Sequence, residues 1–126
     1  VVVSNDSKYQ LDSIHVFKDV YFNFNKSKIR GNHQQEMESL LSYLKSNTDI
    51  NIKIIGHTDN KGTDVFNQKL SIKRASEIVA YLSKNGIPEK RITTEGHGSL
   101  KPISTNNTEA GRFLNRRVEF VLSKKD

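Results

Sequence analysis

A strand joined to a long amphipathic helix, near the middle of the chain, constrains the possible folds more than any other feature. The strand is indicated by closely spaced isoleucines that end at a glycine: Ile50, Ile52, Ile54, Ile55 and Gly56. The helix is predicted over about residues 64–85, because Gly86 ends it and Pro88 follows as a breaker. Its apolar side chains recur at helical spacing: Ala75, Ile78, Val79 and Leu82. This unit predicts helices packed on a sheet.

The chain before this unit predicts one more strand and one more helix. The strand shows apolar residues alternating with polar ones over residues 20–24, at Val20, Phe22 and Phe24. Asn32 and Gln35 are spaced like a capping box at the start of a helix. The core side of that helix is indicated by an apolar stripe: Met37, Leu40, Leu41 and Leu44.

The chain after the unit predicts two further strands, one over roughly residues 91–96 and a last one with alternating Val118, Phe120 and Leu122. A polar loop over residues 98–108 leads to a short helical turn near residues 109–111. The predicted fold class is therefore α/β, a two-layer sandwich of order βαβαβ-β. It has about four mixed strands, with two long helices on one sheet face.

Length and composition predict one domain with a single core in 126 residues. Residues 1–13 are predicted to be a linker or leader, and residues 14–126 the domain. The start at Val1 without a methionine predicts a mature product or, preferably, an excised piece of a longer protein. The net charge of +6 favours an anionic neighbour, but lysines and arginines occur in blocks of at most two, which argues against nucleic acid.

An acid and an arginine flank the turn between the central strand and its helix. Asp59 follows the strand, and Arg74 lies fifteen residues later on the helix, on one face with Asn67 and Ser71. An acid and an arginine on a common cleft suit a ligand that carries an ammonium and a carboxylate on one carbon. The alternative is a structural Asp59–Arg74 salt bridge, and the residue pattern leaves both interpretations open.

More cationic donors are predicted to converge where the last strand begins. Arg112, Arg116 and Arg117 lie there, together with Asn115. They supply more cationic capacity than one acid requires, which favours a ligand site over a structural ion pair.

Four motifs of the chain resemble the OmpA-like peptidoglycan-binding domain. They are Tyr-Phe-Asn-Phe-Asn-Lys-Ser-Lys-Ile at 21–29, Gly-His-Thr-Asp at 56–59, Asn-x-x-Leu-Ser-x-x-Arg-Ala at 67–75 and Asn-Arg-Arg-Val at 115–118. The resemblance covers roughly residues 20–122. It implies non-covalent binding of the peptidoglycan stem peptide, usually through meso-diaminopimelate. Asp59 would accept the ammonium of that residue, and Arg74 would clamp its carboxylate. The group would be oriented by Asn67 and by backbone amides near Leu70 and Ser71.

The resemblance also implies contacts at the rim of the site. Arg116 would reach another carboxylate or carbonyl of the peptide. Asn23 stands where the family often has aspartate, and Lys61 stands where a small or hydroxyl residue is common, so both alter the rim. Replacing either Asp59 or Arg74 with alanine is expected to abolish binding while the fold persists.

Other kinds of site have weaker support. His57, Asp59 and His97 are the strongest metal candidates, but no further ligand cluster accompanies them, so both histidines are interpreted as packing or turn residues. Glu95 is expected to face solvent, which leaves Asp59 without the second carboxylate that a glycosidase needs. No serine lies in a nucleophile-elbow context, and cysteine is absent. We therefore predict no enzyme activity, no cofactor and no metal.

The predicted function is reversible anchoring of a larger protein to the cell wall, in the periplasm at the outer membrane of a Gram-negative cell. Contact with the membrane would be indirect, through the parent protein, and envelope proteins are further possible partners. The alternative is a basic protein-interaction or scaffold domain that uses its +6 charge on anionic polymers. In that case binding would fall steeply with salt and would not depend on Asp59 and Arg74.

Overall fold

The computed structural model of the chain describes residues 2–3, 19–29 and 31–125. Within them lie β1 (Val2–Val3), β2 (Val20–Tyr21), α1 (Gln34–Ser46), β3 (Ile50–Gly56), α2 (Asp64–Lys84), β4 (Ile92–Gly96), α3 (Glu109–Asn115) and β5 (Arg117–Lys124). Single 3-10 turns precede α1 and β4, at Gly31–His33 and Glu89–Arg91. Apart from β1, the predicted linker over residues 1–13 lies outside the described residues.

The strands form one mixed sheet in the order β1-β5-β3-β4, with β2 paired to the start of β5. β3 is parallel to β4 and antiparallel to β5, and α2 makes the crossover from β3 to β4. Gly56, at the end of β3, is in register with Gly96 of β4 and Val118 of β5. The end of β3 and the start of β5 therefore lie side by side, which brings together loops that are far apart in sequence.

A single apolar core lies between the sheet and the helices on one of its faces, which confirms the predicted two-layer α/β fold. Buried and half-buried residues alternate along β3, as expected for a strand with one covered face. The core cluster includes Ile50, Ile52, Ile54, Val118, Phe120 and Leu122 from the strands and Met37, Leu40, Leu44, Ala75, Ile78 and Leu82 from the helices. Leu41 and Val79 are only partly buried at its margin. None of the described helices combines the length and apolarity needed to cross a bilayer.

The first part of the chain differs from the predicted pattern. β2 ends at Tyr21, and the backbone turns at Asn25, which has a φ of 58°. Phe22 is buried, but Phe24 lies in the turn and is 49% exposed, so the strand predicted over residues 20–24 is wrong at Phe24. α1 begins at Gln34 after the 3-10 turn, and His33 at its N-cap makes no side-chain capping bond. The N-cap residue of α1 is therefore His33, one position after the predicted Asn32.

A buried arginine that the sequence pattern did not distinguish joins α1 to β3. Arg91 was predicted as the first residue of a strand but lies in the 3-10 turn before β4. Its Nε donates to the carbonyl of Ile50 at 2.9 Å, and its Nη2 donates to the carbonyls of Leu44 and Asn47 at 2.9 and 2.8 Å. Burial lowers the pKa of Arg91, and nearby Asp49 opposes that effect. The guanidinium thus satisfies carbonyls at the end of a helix, where intrahelical donors are lacking.

Candidate ligand-binding site

The predicted site residues meet at the end of the sheet where β3 stops and β5 begins. The backbone N–H of His57 donates to the carbonyl of Arg117 at 2.8 Å, which continues the β3–β5 pairing past Gly56. Thr58 donates in turn to the carbonyl of Gly98 at 2.8 Å. These bonds hold the loop after β3 in place, and that loop carries Asp59 toward the residues that precede β5.

Asp59 is 3% exposed, and its direct ionic partner is Arg116. One carboxylate oxygen, Oδ2, lies 3.1 Å from Nη1 of Arg116, and the other, Oδ1, accepts the backbone N–H of Lys61 at 3.0 Å. The structure gives no direct ion pair between Asp59 and Arg74. The structural salt bridge considered from the sequence is therefore wrong, because Asp59 pairs with Arg116 instead. Arg116 is 57 residues from Asp59 along the chain, a separation that no local pattern predicts.

Arg74 is fully buried and donates to three backbone carbonyls. Its Nε donates to Lys26 at 2.8 Å, its Nη1 to His57 at 2.9 Å and its Nη2 to Asn23 at 3.2 Å. Burial lowers the pKa of Arg74 to about 10, against the opposing effect of the nearby Asp59 charge. A guanidinium has five N–H donors, and the contacts with described residues occupy three of them, which leaves one donor on each terminal nitrogen for a carboxylate.

Arg116 is the residue that joins the acids of the site. Its Nε donates to the carbonyl of Phe22 at 2.9 Å, while its terminal nitrogens contact both Asp59 and Glu109. Although burial acts to lower it, the hydrogen bonds to Glu109 and Asp59 raise the pKa of Arg116. We did not predict Glu109 as a site residue. The available signal was the spacing of seven residues, about two helical turns, which places Glu109 and Arg116 at the two ends of α3 and on the same face.

The α2 residues predicted to orient the ligand, Asn67, Leu70 and Ser71, differ in whether their polar groups are already hydrogen-bonded. Asn67 is buried, and its amide nitrogen Nδ2 has no hydrogen-bond partner in the described part of the chain. The Ser71 hydroxyl donates to the carbonyl of Gln68 at 2.8 Å and accepts the N–H of Gly98 at 3.0 Å. Leu70 and Ser71 lie past the first turn of α2, where backbone N–H groups are used within the helix. Their amides therefore cannot orient a ligand as predicted.

The predicted convergence of three arginines is wrong for Arg117. Arg116 and Arg117 are consecutive where the chain enters an extended strand, so their side chains leave on opposite faces. Nη2 of Arg117 donates to the carbonyl of Lys101 at 3.0 Å and lies 3.5 Å from Glu119. Arg112 remains beside the site, with its Nε 3.4 Å from the carboxylate of Glu109.

Each of the two histidines near the site contacts a glutamate. Nε2 of His57 is 2.6 Å from Glu119, and Nε2 of His97 is 2.8 Å from Glu95, which is 41% exposed. The two imidazole rings meet edge to face at 5.3 Å. Among the described residues, no three His, Asp or Glu side chains are arranged to hold a metal ion.

Glu119 gives the fold an acid-sensitive ion pair. The hydrogen bond with His57 lowers its pKa to about 2, helped by Arg117 and opposed by burial. Because the folded-state pKa is below the ordinary value of 4.5, this stabilisation is complete above that value and is lost as the pH falls toward about 2. We expect Glu119→Gln to lower the free energy of unfolding at pH 7 by roughly 2 kcal/mol. Urea titrations at pH 7 and pH 2.5 check this.

At the lower pH, the variant and the unaltered domain should differ less. An equal difference at both values would contradict the charge argument and assign the effect to packing. Glu38→Gln, on the exposed face of α1, is the matched control and should change stability little.

Residues 21–116 match the OmpA family. Outer membrane porin F of Pseudomonas fluorescens is 41% identical over 106 residues, which are 84% of this chain and 32% of that protein. The chain therefore spans about a third of the length of that relative. The name of the relative includes the outer membrane, the location that the sequence resemblance implied.

Two solved structures have the same fold. The peptidoglycan-associated lipoprotein from Burkholderia pseudomallei has a TM-score of 0.80 and 32% identity, and the match covers 82% of this chain and 88% of that one. The cell wall anchor of the T6SS from Pseudomonas aeruginosa has a TM-score of 0.68 and 28% identity, with coverage of 83% and 75%.

Proposed function

This chain belongs to the OmpA family, and from that premise we propose that it binds the peptidoglycan stem peptide non-covalently through meso-diaminopimelate. It is a domain of the bacterial cell envelope, like its outer-membrane and lipoprotein relatives. The observation that carries the proposal is that two buried, opposite charges, Asp59 and Arg74, influence each other without being direct hydrogen-bond partners. Both retain unused hydrogen-bonding capacity.

The free capacity matches the two charged groups at the end of a diaminopimelate side chain. A carboxylate offers about four acceptor positions, and within the described residues two of those on Asp59 are used. The others suit an ammonium. The two unused N–H groups of Arg74 suit a carboxylate. Because both residues are almost fully buried, ligand groups that reach them lose water, which strengthens the electrostatic attraction.

The direction of approach is marked by two exposed residues. Asn23 is bound to Arg74 through its carbonyl, and Lys61 is bound to Asp59 through its N–H, while both side chains face solvent. These are the two positions where the sequence departs from the family pattern. The unpartnered amide of Asn67 gives the buried part of the site one more donor for a ligand oxygen.

The biological role that we propose is reversible anchoring of a larger envelope protein to the cell wall. The structural neighbour named as a cell wall anchor supports this role, as does the small share of the porin relative that the chain spans. That the domain is not an enzyme remains a prediction from the sequence.

Calorimetric titration with two purified stem peptides tests the proposal. One peptide carries meso-diaminopimelate at its third residue, and the other carries lysine there. We expect the first to bind and the second to bind at least about tenfold more weakly, because lysine lacks the carboxylate that Arg74 would receive.

Two other results would reject the proposal. Failure of both peptides to bind would leave Asp59 and Arg74 with structural roles only. Equal binding of both peptides, with affinity falling steeply as salt is added, would favour the alternative of a basic scaffold domain for anionic polymers.

A further inference from the structure

A buried arginine shared between a buried and an exposed carboxylate is the feature of the site that the proposed function does not explain. The side chain of Arg116 is 4% exposed, as is that of Asp59, whereas that of Glu109 is 66% exposed. Nη2 of Arg116 lies 2.8 Å from one oxygen of Glu109, and Nη1 lies 3.3 Å from the other. Glu109 therefore holds both terminal nitrogens, while Asp59 receives only Nη1, at 3.1 Å.

Because Arg116 contacts both Glu109 and Asp59, it neutralises the charge of Asp59 only in part, and the remainder is available to a ligand ammonium. A guanidinium paired with Asp59 alone would form a neutral pair and would compete with a ligand ammonium for the same carboxylate. With Glu109 included, the donors of Arg116 are divided between two acids, so Asp59 is less completely paired before the ligand arrives. Glu109 is also contacted by Arg112. The planar fork of arginine also favours the carboxylate that it contacts through both terminal nitrogens.

Glu109 is held in position by the start of α3. The Thr108 hydroxyl accepts the N–H of Gly111 at 3.1 Å and caps this helix. Gly111 lies so close to Thr105 that a Cβ there would be 2.0 Å from a backbone oxygen, so the helix start is packed directly on the preceding loop. Nε of Arg112 adds a second contact to Glu109 at 3.4 Å. The carboxylate of Glu109 is thus directed toward Arg116 although it is exposed.

We propose that Glu109 is a positioning residue that sets the affinity of the site for the ligand ammonium, by holding Arg116 and leaving the charge of Asp59 available. This inference rests on the proposed function, because it concerns the same ligand. Glu109 itself would not touch the ligand. Its effect would pass through Arg116 to Asp59, and so would be confined to the ammonium and absent for the carboxylate that Arg74 receives.

The test pairs one variant with two ligands. Glu109→Gln keeps the shape of the side chain but removes its charge. It is titrated with the diaminopimelate stem peptide and with an analogue in which hydrogen replaces the side-chain amino group. We expect the variant to bind the first peptide about tenfold more weakly, as for one charge-assisted contact, and to bind the analogue as the unaltered domain does. Glu109→Asp, which keeps the charge, should recover part of the loss.

Controls separate this effect from a general loss of charge or of folding. Glu38→Gln makes the same charge change on the exposed face of α1 and should leave both affinities unchanged. Circular dichroism and urea unfolding should show Glu109→Gln folded, since its side chain is mostly exposed. Equal weakening toward both ligands, or no weakening toward either, would overturn the role of Glu109. Failure of the unaltered domain to bind the diaminopimelate peptide would instead reject the proposed function, and this inference with it.

Discussion

Replacement of Asp59 by asparagine is expected to weaken binding of the diaminopimelate stem peptide at least about a hundredfold while the domain stays folded. Asparagine keeps the size of the side chain but cannot balance the ligand ammonium in a site where Asp59 is 3% exposed. Loss of one partner from a desolvated charge pair costs about 3 kcal/mol, which corresponds to this change in affinity. Arg116 remains paired with Glu109, so the variant does not leave that arginine unpaired. Calorimetry measures the affinity, and urea unfolding measures the stability.

Lys61→Ala is the matched control for this prediction. Lys61 supplies only its backbone N–H to Asp59, and alanine retains that group, so a change of less than about tenfold is expected. Retention of the Asp59→Asn domain on cell-wall sacculi at the level of the unaltered domain would contradict the assignment of Asp59 to the ammonium.

Arg74 is a less informative position for the same experiment. The sequence led us to expect that Arg74→Ala would abolish binding and leave the fold intact. The structure shows this arginine fully buried, with hydrogen bonds to the carbonyls of Asn23, Lys26 and His57. Its removal would leave those buried acceptors without their donor, so we now expect a loss of stability together with the loss of binding.

Replacement of Gly56 by alanine is expected to lower the free energy of unfolding by about 3 kcal/mol or more. A Cβ at this position would lie 1.9 Å from the backbone oxygen of Ser71 and 2.8 Å from its carbonyl carbon. The obstacle is the backbone of α2 and not a flexible side chain, so the helix would have to move off the sheet. That displacement would also move Arg74, which lies one turn further along α2.

Chemical denaturation of Gly56→Ala and Gly31→Ala checks this prediction. An added Cβ at Gly31 meets no atom within 4 Å, so this second variant tests the same chemical change without a clash. It should change stability by less than about 1 kcal/mol. Similar stabilities for the two variants would show that the contact between α2 and the sheet can adjust at little cost.

The sequence by itself determined the identity and order of the main elements. Both long helices have apolar stripes with a period of 3.6 residues, and β3 and β5 alternate with a period of 2. These patterns depend only on residues that are close together in the sequence. The glycine that ends the second long helix could also be identified from the sequence. α2 ends at Lys84, and Gly86 has the positive φ of 103° that a glycine after a helix commonly adopts. The strand predicted over residues 20–24 failed at its end, because β2 stops at Tyr21 and the chain turns at residues 24–25.

The choice of partners was decided only by the tertiary structure. The positions of Asp59 and Arg74 in the chain led to their prediction as site residues, but in the structure Asp59 pairs with Arg116, and Arg74 binds carbonyls. Glu109 is seven residues from Arg116, but its link to Asp59 through that arginine exists only once the segment before β5 and the loop after β3 are brought together. Periodicity depends on a few neighbouring residues, whereas the partner of a buried charge depends on which distant segments the sheet register places at one edge. For this domain that register aligns Gly56 with Val118, and the site follows from it.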